Sequence, residues 1–70
     1  MVIIIFQNNM KINIIGKNKV IIYNYQKLVD LNEKIVNVDN VIINGKVLKI
    51  IKMDDDLIEI NGEIEKIIFE

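Results

Sequence analysis

The sequence has no cysteine, histidine, arginine, proline or alanine. Without cysteine there is no disulfide, no thiolate metal site and no thiol nucleophile. Without histidine the chain lacks the commonest general base and the commonest metal ligand. Arginine is missing, and nine lysines are scattered among ten acidic residues, so there is no basic stripe for phosphates or base edges. We therefore expect no enzyme activity, no catalytic residue, no metal or other cofactor, and no nucleic-acid partner.

Length and composition predict one small domain that needs reinforcement. Seventy residues form a single domain, residues 1–70, and a chain of this size buries only about 60% of its unfolded surface. Without disulfides, dense packing or a partner chain has to supply the missing stability. The composition fits this expectation, because 51% of the residues are hydrophobic and eighteen of the seventy are isoleucine.

No stretch of the chain predicts a membrane anchor. None approaches the roughly 20 consecutive apolar residues that span a bilayer. The opening segment Met1–Phe6 has no basic residue, and its apolar run is too short for a signal peptide. We expect a soluble, cytoplasmic protein without direct membrane insertion, which lies beside a membrane only through the anchor of a partner.

Short apolar runs alternate with turn-forming residues along the chain, and no window of a dozen residues has the 3.6-residue period of an amphipathic helix. This pattern predicts an all-β domain, a small antiparallel β-sandwich of short strands joined by tight Asn-Gly and Asp turns. Nine strands are expected, at Val2–Phe6, Lys11–Ile15, Lys19–Asn24, Lys27–Leu31, Lys34–Val38, Val41–Ile43, Val47–Met53, Leu57–Ile60 and Glu63–Phe69.

All three glycines, Gly16, Gly45 and Gly62, are expected in turns. Asn44-Gly45 and Asn61-Gly62 lie between apolar runs, and Asn-Gly in that setting favours a type I′ hairpin turn. The alternative at either site is a glycine bulge within a bent strand.

The second half of the chain contains an internal echo. Val41–Ile51 aligns with Ile58–Ile68 over eleven positions, six of which are identical. A weaker third copy starts at Ile12 and passes through Gly16. Two similar hairpins account for the echo better than a solenoid, which usually needs at least three good repeats.

Three polar segments suggest chemistry, but a structural role explains each of them better. Asp54-Asp55-Asp56 lacks the alternating ligands, central glycine and distal glutamate of a calcium loop, which indicates a solvated turn. Glu59, Glu63 and Glu65 resemble paired catalytic carboxylates, but a hairpin places them in its turn and on its solvated side. Gly16–Lys19 has one glycine and no following helix, which indicates a turn rather than a phosphate loop.

The four aromatic residues are expected in the core or, alternatively, in an interface. Tyr23 and Tyr25 fall on one face of an extended segment, where two rings are able to stack on nucleic-acid bases. Such grooves are basic, and this chain is not. Together with Phe6 and Phe69 these tyrosines are better explained as core volume or as interface anchors.

Apolar residues and glycines follow a regular order and spacing in the second half of the chain. The pattern I-x-G-x-x-L-x-I is formed by Ile43, Gly45, Leu48 and Ile50, and the pattern I-x-I-x-G-x-I-x-x-I-x-F by Ile58, Ile60, Gly62, Ile64, Ile67 and Phe69. The two patterns in this order resemble the signature of the YabP/YqfC family of sporulation proteins. Upstream, Ile12–Gly16 resembles the I-x-I-x-G opening of the family, and Ile22-Tyr23-Asn24 resembles the I-E-N segment of the YqfC branch.

This resemblance covers about Lys11 to Phe69 and implies a β-sandwich-like protein made during endospore formation in Firmicutes. It implies no catalytic residue, and the YqfC branch is similar to the soluble companion of a membrane protein, YqfD. The expected function is therefore non-enzymatic protein–protein binding, with a YqfD-like membrane protein as the partner. The alternative is a self-assembling structural β module, either a homodimer or a coat-like subunit.

The candidate interface residues are Ile51 and Ile68. Two segments, Val47–Met53 and Ile64–Phe69, have apolar side chains at successive positions, and hence on both faces of a strand. One face fills the core, and the other has to be covered by a second sheet, a copy of the chain or a partner. Ile51 or Ile68 is expected on that second face, where it would contribute to association.

Overall fold

Seven antiparallel strands form one sheet in the computed structural model, which describes all residues, 1–70. They are β1 Val2–Gln7, β2 Met10–Ile15, β3 Lys19–Tyr23, β4 Leu28–Leu31, β5 Ile35–Val38, β6 Val41–Met53 and β7 Leu57–Phe69. There is no helix, and 73% of the residues lie in strands, which confirms the predicted all-β class.

The strands follow the order β1-β2-β3-β7-β6-β5-β4 across the sheet. Every strand therefore pairs with its neighbours in the chain, except that β3 pairs with β7 rather than with β4. The two edges of the sheet are β1 and β4, and the two long strands β6 and β7 form its centre.

Both central strands bend sharply. A straight strand of thirteen residues would be about 40 Å long, whereas the longest dimension of the whole molecule is 27 Å. The pairing of β6 with β7 is irregular between Asn44 and Lys49, and Val47 lies there with a φ of 54°. At this bend the sheet folds over on itself.

Folding at the bend produces two layers with a shared core. The first layer contains β1, β2, β3, residues 57–61 of β7 and residues 49–53 of β6. The second layer contains β4, β5, residues 41–46 of β6 and residues 63–69 of β7. The buried side chains form one cluster of Met10, Ile12, Val20, Ile22, Val36, Val38, Val41, Ile43, Leu48, Ile58 and Ile60. Each such isoleucine or valine contributes roughly 1.5–3 kcal/mol through burial.

Gly45 and Gly62 lie inside β6 and β7, so the prediction of hairpin turns at these glycines is wrong. The structure has the alternative, a bend within each strand, and the nine expected strands therefore become seven. A Cβ at Gly45 would overlap the carbonyl oxygen of Glu63, and one at Gly62 would lie 2.7 Å from the carbonyl oxygen of Val47. Glycine is required here because two backbones approach each other closely. The turn preference of Asn-Gly depends on neighbouring residues and does not predict such an approach.

Gly16 does lie in a turn, as predicted. It starts the loop between β2 and β3 with a φ of 59°, a value that glycine adopts without steric cost. The type I′ signature, two successive residues with positive φ, is found instead at Asn8 and Asn9 between β1 and β2. Asparagine tolerates this left-handed conformation better than other non-glycine residues.

The internal echo corresponds to an approximate two-fold symmetry. Its two copies lie in β6 and β7, which run antiparallel and pair with each other, so they are not the two hairpins that we expected. Ile43 pairs with Ile67, and the equivalent positions of the other copy, Ile60 and Ile50, are paired as well.

The symmetry extends to the strands on either side of this central pair. The amide of Gly62 donates to the carbonyl of Asn18 at 3.1 Å, and the equivalent amide of Gly45 donates to the carbonyl of Lys34 at 3.0 Å. The unit β2-β3-β7 is thus repeated by the unit β4-β5-β6. Strand β1 lies outside this repeat, because no strand flanks β4 in the corresponding place.

Candidate functional site

The most distinctive surface of the molecule is its edge strand β1. Five of the twelve large hydrophobic residues with exposed side chains precede Gln7, namely Met1, Val2, Ile3, Ile4 and Phe6. The strand has no charged residue, and its pairing with β2 is regular over six residues. Proteins usually protect an edge strand by charges, proline, a bulge or short length. None of these protections is present in β1.

The backbone of β1 offers free hydrogen-bonding groups on its outer side. The carbonyl of Met1 accepts a hydrogen bond from the amide of Gly16 at 2.9 Å, so the backbone N–H and C=O groups of Met1 point towards β2. Along an antiparallel ladder such hydrogen-bonded residues alternate with residues that point the other way. The N–H and C=O groups of Val2, Ile4 and Phe6 therefore point away from β2, along the open edge.

The side chains of the same three residues lie on the outer face of the first layer. Ile5 faces the core, where it packs opposite the buried Ile12, and side chains alternate along a strand. From β1 the outer face continues across the sheet, with half-buried apolar side chains from β2, β3 and β7. We use the term β1 surface for this set of outer residues: Val2, Ile4, Phe6, Ile15, Ile21, Tyr23 and Leu57.

The charged residues of the outer face lie among these apolar side chains. Lys19 and Glu59 form an ion pair at 3.3 Å, and the side chain of Glu59 is only 18% exposed. The ammonium of Lys11 lies 5.4 Å from the centre of the Tyr23 ring, within reach of a cation–π interaction. The strand β1 itself stays uncharged, so the apolar character is strongest at the edge.

The opposite edge, β4, is built differently. It has four residues, and its pairing with β5 slips between Leu28 and Asp30. The carboxylate of Asp30 accepts a hydrogen bond from the amide of Leu31 at 2.9 Å, which places a charge on this edge. A short, irregular and charged edge resists the addition of another strand.

The glutamates that resemble catalytic carboxylates are separated and paired with lysines. Glu59 binds Lys19, as described above, and Glu65 lies 3.7 Å from Lys46. Glu63 lies in β7 opposite Lys46, not in a turn as expected. No group of three or more acidic side chains is placed to hold a metal ion.

The acidic segment 54–56 forms the turn between β6 and β7. The carboxylate of Asp54 accepts hydrogen bonds from the amides of Asp56 and Leu57, at 3.2 and 3.1 Å. Its main-chain carbonyl accepts the hydroxyl of Tyr25 at 2.8 Å. Asp54 therefore organises this turn, as aspartate often does through its side chain.

Tyr23 and Tyr25 do not share a face, so that expectation is wrong. Strand β3 ends at Tyr23, and Asn24 follows with a φ of 63°, which interrupts the alternation of an extended chain. Tyr23 lies on the outer face, whereas Tyr25 packs against the core. Of the phenylalanines, Phe6 is 75% exposed and Phe69 is 38% exposed, so neither belongs to the buried core.

Ile51 and Ile68, the residues proposed from sequence for an interface, both lie outside the buried core but in different layers. Ile51 is 50% exposed and lies in the first layer, where β6 is irregular between Ile50 and Lys52. Ile68 is half-buried in the second layer, opposite Ile42. The structure does not bring the two residues together, and their part in association stays a prediction.

Sequence reasoning missed β1 as a candidate surface, although the signal was available. Five consecutive apolar residues, Val2–Phe6, place apolar side chains on both faces of one strand. Only the topology shows that this strand is an edge, with one face on the core and the other on the outside.

A polar cleft of about 470 Å³ lies among the turns at one end of the sandwich, and seven of its nine lining residues are polar. Its carboxylate, that of Asp39, accepts hydrogen bonds from the amides of Gln26 and Lys27, both at 3.0 Å. The side-chain amide of Asn24 donates to the carbonyl of Asn9 at 3.3 Å. These groups hold the turns together.

The chain forms no helix of the length and apolarity needed to cross a membrane. Comparison with protein-family models, with curated proteins and with solved structures found no match to this chain.

Proposed function

We propose that this protein is a non-enzymatic binding module that associates with other proteins through the β1 surface. The observation that carries the proposal is an unprotected edge strand, uncharged and regular, with exposed apolar side chains and outward-pointing backbone groups. An extended segment of a second protein is able to pair with such an edge by main-chain hydrogen bonds. Apolar side chains beside the new strand would then be removed from water.

The roles of the acidic side chains support a binding function rather than catalysis. Glu59 is held in an ion pair with Lys19, and the carboxylates of Asp39 and Asp54 accept backbone amides in turns. These carboxylates serve the fold.

The resemblance to the YabP/YqfC family supports a place for this binding in sporulation. On that basis the partner is a YqfD-like membrane protein, and the module is a cytoplasmic companion that reaches the membrane through it. The exposed apolar side chains of β1 on the outer face would pack against an equally apolar surface of the partner, since no charge needs to be matched.

The test compares two lysine substitutions at similarly exposed positions on opposite edges, Ile4→Lys on β1 and Val29→Lys beside the bulge of β4. Both side chains are 51% exposed, so neither substitution should disturb the core. A YqfD-like membrane protein is co-expressed with each tagged variant, solubilised in detergent and purified through the tag. Retention should fall by about tenfold or more with Ile4→Lys, since a charge enclosed by an apolar interface costs more than about 1.4 kcal/mol.

Retention by the Val29→Lys variant should match that of the unmodified chain. Circular dichroism and thermal melting of both variants confirm that they fold. Equal retention by the two variants, or no retention by the unmodified chain, would contradict binding of this partner through β1.

A further inference from the structure

We propose that the strand added to β1 is β1 of a second copy of this chain, so that the protein is a homodimer with one continuous sheet. This inference rests on the proposed function, because it assigns the backbone edge of the same β1 surface to a second copy and leaves the outer face to the membrane partner. The dimer would join two first layers side by side, and the joined outer faces would remain open to a further protein.

The outward-pointing backbone groups determine the register of such a pair. Only Val2, Ile4 and Phe6 point to the open edge, so antiparallel pairing of two identical strands has to use these residues. Placing Ile4 opposite Ile4 of the second copy also pairs Val2 with Phe6 on both sides of the axis. These three pairs would form about six main-chain hydrogen bonds. Any other register pairs fewer of the three residues.

The side chains are self-complementary in this register. On the outer face the row would consist of Val2, Ile4 and Phe6 from each copy, which are 56%, 51% and 75% exposed in the single chain. On the core face Ile3 would lie opposite Ile5 of the second copy. No charged residue belongs to β1, so the two-fold axis brings no like charges together.

The fold of the single chain uses little of the apolar content of β1. Five of the six residues of the strand are hydrophobic, but only Ile5 packs against the core, and none is fully buried. The strand also lies outside the repeated unit that builds the two layers. A second copy supplies a cover for these side chains that the chain itself does not provide.

The asymmetry between the edges favours a closed dimer over an open chain of copies. An open chain would require β1 of one copy to pair with β4 of the next. Strand β4 is short, slips in register beside Val29 and carries Asp30. Pairing β1 with itself uses the same surface on both copies, which closes the assembly at two.

The first experiment measures the mass of the full chain in solution, by sedimentation velocity over a range of concentrations. The unmodified protein and the Val29→Lys variant should have twice the 8.2 kDa mass of one chain. Ile4→Pro should be a folded monomer. The amide of Ile4 points outwards, so proline removes a bond of the dimer but none within the sheet, and proline is tolerated on edge strands.

The second experiment tests the register by cross-linking, for which the absence of cysteine from the chain is useful. Cα atoms of a hydrogen-bonded antiparallel pair lie about 5.5 Å apart, within the range of a disulfide. Ile4→Cys alone should therefore form a covalent dimer, by oxidation or with a short bismaleimide. Val2→Cys alone and Phe6→Cys alone should not, whereas a mixture of these two variants should cross-link.

Three results would overturn the inference: a monomer at every concentration, a dimer that persists with Ile4→Pro, or cross-linking that is equal at the three cysteine positions. Its failure is distinguishable from failure of the proposed function. A monomer that still retains the YqfD-like protein, and loses it with Ile4→Lys, overturns the homodimer and leaves the binding function in place.

Discussion

The two layers of the sandwich share one plan but end differently. In the first layer the unit β2-β3-β7 is followed by β1, a regular, uncharged strand of six residues. In the second layer the equivalent unit β4-β5-β6 ends at β4, which has four residues and a slip in register. The interior of the two layers is therefore similar, and the difference between them lies at the edges.

This difference separates two physical requirements. Inside the sheet, pairing register is determined by burial, because a shift of one residue would turn every core side chain outwards. At an edge, burial no longer determines which residues are favoured. They depend instead on whether the edge has to bind or to exclude a strand of another chain. One edge of this molecule opposes the addition of a strand and the other is open to it, so the association that we propose has a single site.

The largest expected effect is at the bend that joins the layers. Gly45→Ala should lower the free energy of unfolding by about 3 kcal/mol or more, because the new methyl group would overlap the carbonyl oxygen of Glu63, which belongs to the backbone and not to a flexible side chain. Gly62→Ala should be nearly as severe. Gly16→Ala is the matched control, since a Cβ there meets no atom within 4 Å and only its positive φ costs about 1 kcal/mol. Urea denaturation measures the free energy of unfolding of all three variants. Similar losses of stability for Gly16→Ala and Gly45→Ala would contradict the close approach of the two backbones at Gly45.

The difference between the two edges can be removed by making β4 resemble β1. Deletion of Val29 combined with Asp30→Val removes the bulge and the charge from the second edge. We expect assemblies larger than those of the unmodified chain, visible by light scattering, because a molecule with two open edges is able to form an open chain. Adding Ile4→Pro to this variant should restore small species. Unchanged mass without Ile4→Pro would mean that the irregularity of β4 is not what protects it.

A smaller effect is expected at Val47, where the two halves of the bend differ. Val47 has a φ of 54°, a conformation that costs a branched residue about 1–2 kcal/mol, whereas the corresponding part of β7 has its positive φ at Gly62. The side chain of Val47 is 60% exposed, so little packing is lost on its removal. Val47→Gly should therefore raise the free energy of unfolding by about 1 kcal/mol. A second variant, Val47→Asn, introduces another residue that tolerates a positive φ. A loss of stability in both variants would contradict the backbone strain at Val47.

The smallest effect is expected on the outer faces. The side-chain carbonyls of Asn13 and Asn37 are shielded from solvent and accept no hydrogen bond. Asn13 lies between Ile4 and Ile21 in the first layer, whereas Asn37 lies between Asp30 and Ile42 in the second. Asn13→Val should stabilise the fold by up to about 1 kcal/mol, because an unpaired polar group is replaced by an apolar one among apolar neighbours.

Asn37→Val is the control for the outer faces and should stabilise less, because a charged residue is its neighbour. Thermal melting at low protein concentration separates the two variants, since 1 kcal/mol shifts the midpoint by roughly 4–8 °C in a domain of this size. If Asn37→Val stabilises the fold more than Asn13→Val, the outer face of the first layer is not the more apolar one.

Much of the fold was predictable because strands leave a local trace. Alternation and turn-forming residues placed five of the seven strands, from β1 to β5, close to their observed bounds. Gly16 was placed in its turn for the same reason. The sites at Gly45 and Gly62 were misread as turns, because Asn-Gly is compatible with a hairpin and with a bend, and only distant backbone contacts distinguish them.

The candidate site was less predictable than the fold. The apolar run of β1 is visible in the sequence, but an apolar strand is equally suited to the centre of a sheet. Tyr23 and Tyr25 illustrate the same limit, because one residue in a left-handed conformation between them sent the two rings to different sides of the layer.

The sequence by itself determined that this chain forms strands, where most of them begin and end, and that no cysteine or histidine chemistry is available to it. These properties depend on residue types and on neighbours within a few positions. The tertiary structure alone decided that β6 and β7 continue through their glycines, that β3 pairs with β7, and that β1 remains an open edge. Those features depend on backbones that are far apart in the chain and meet only when the sheet folds over its core.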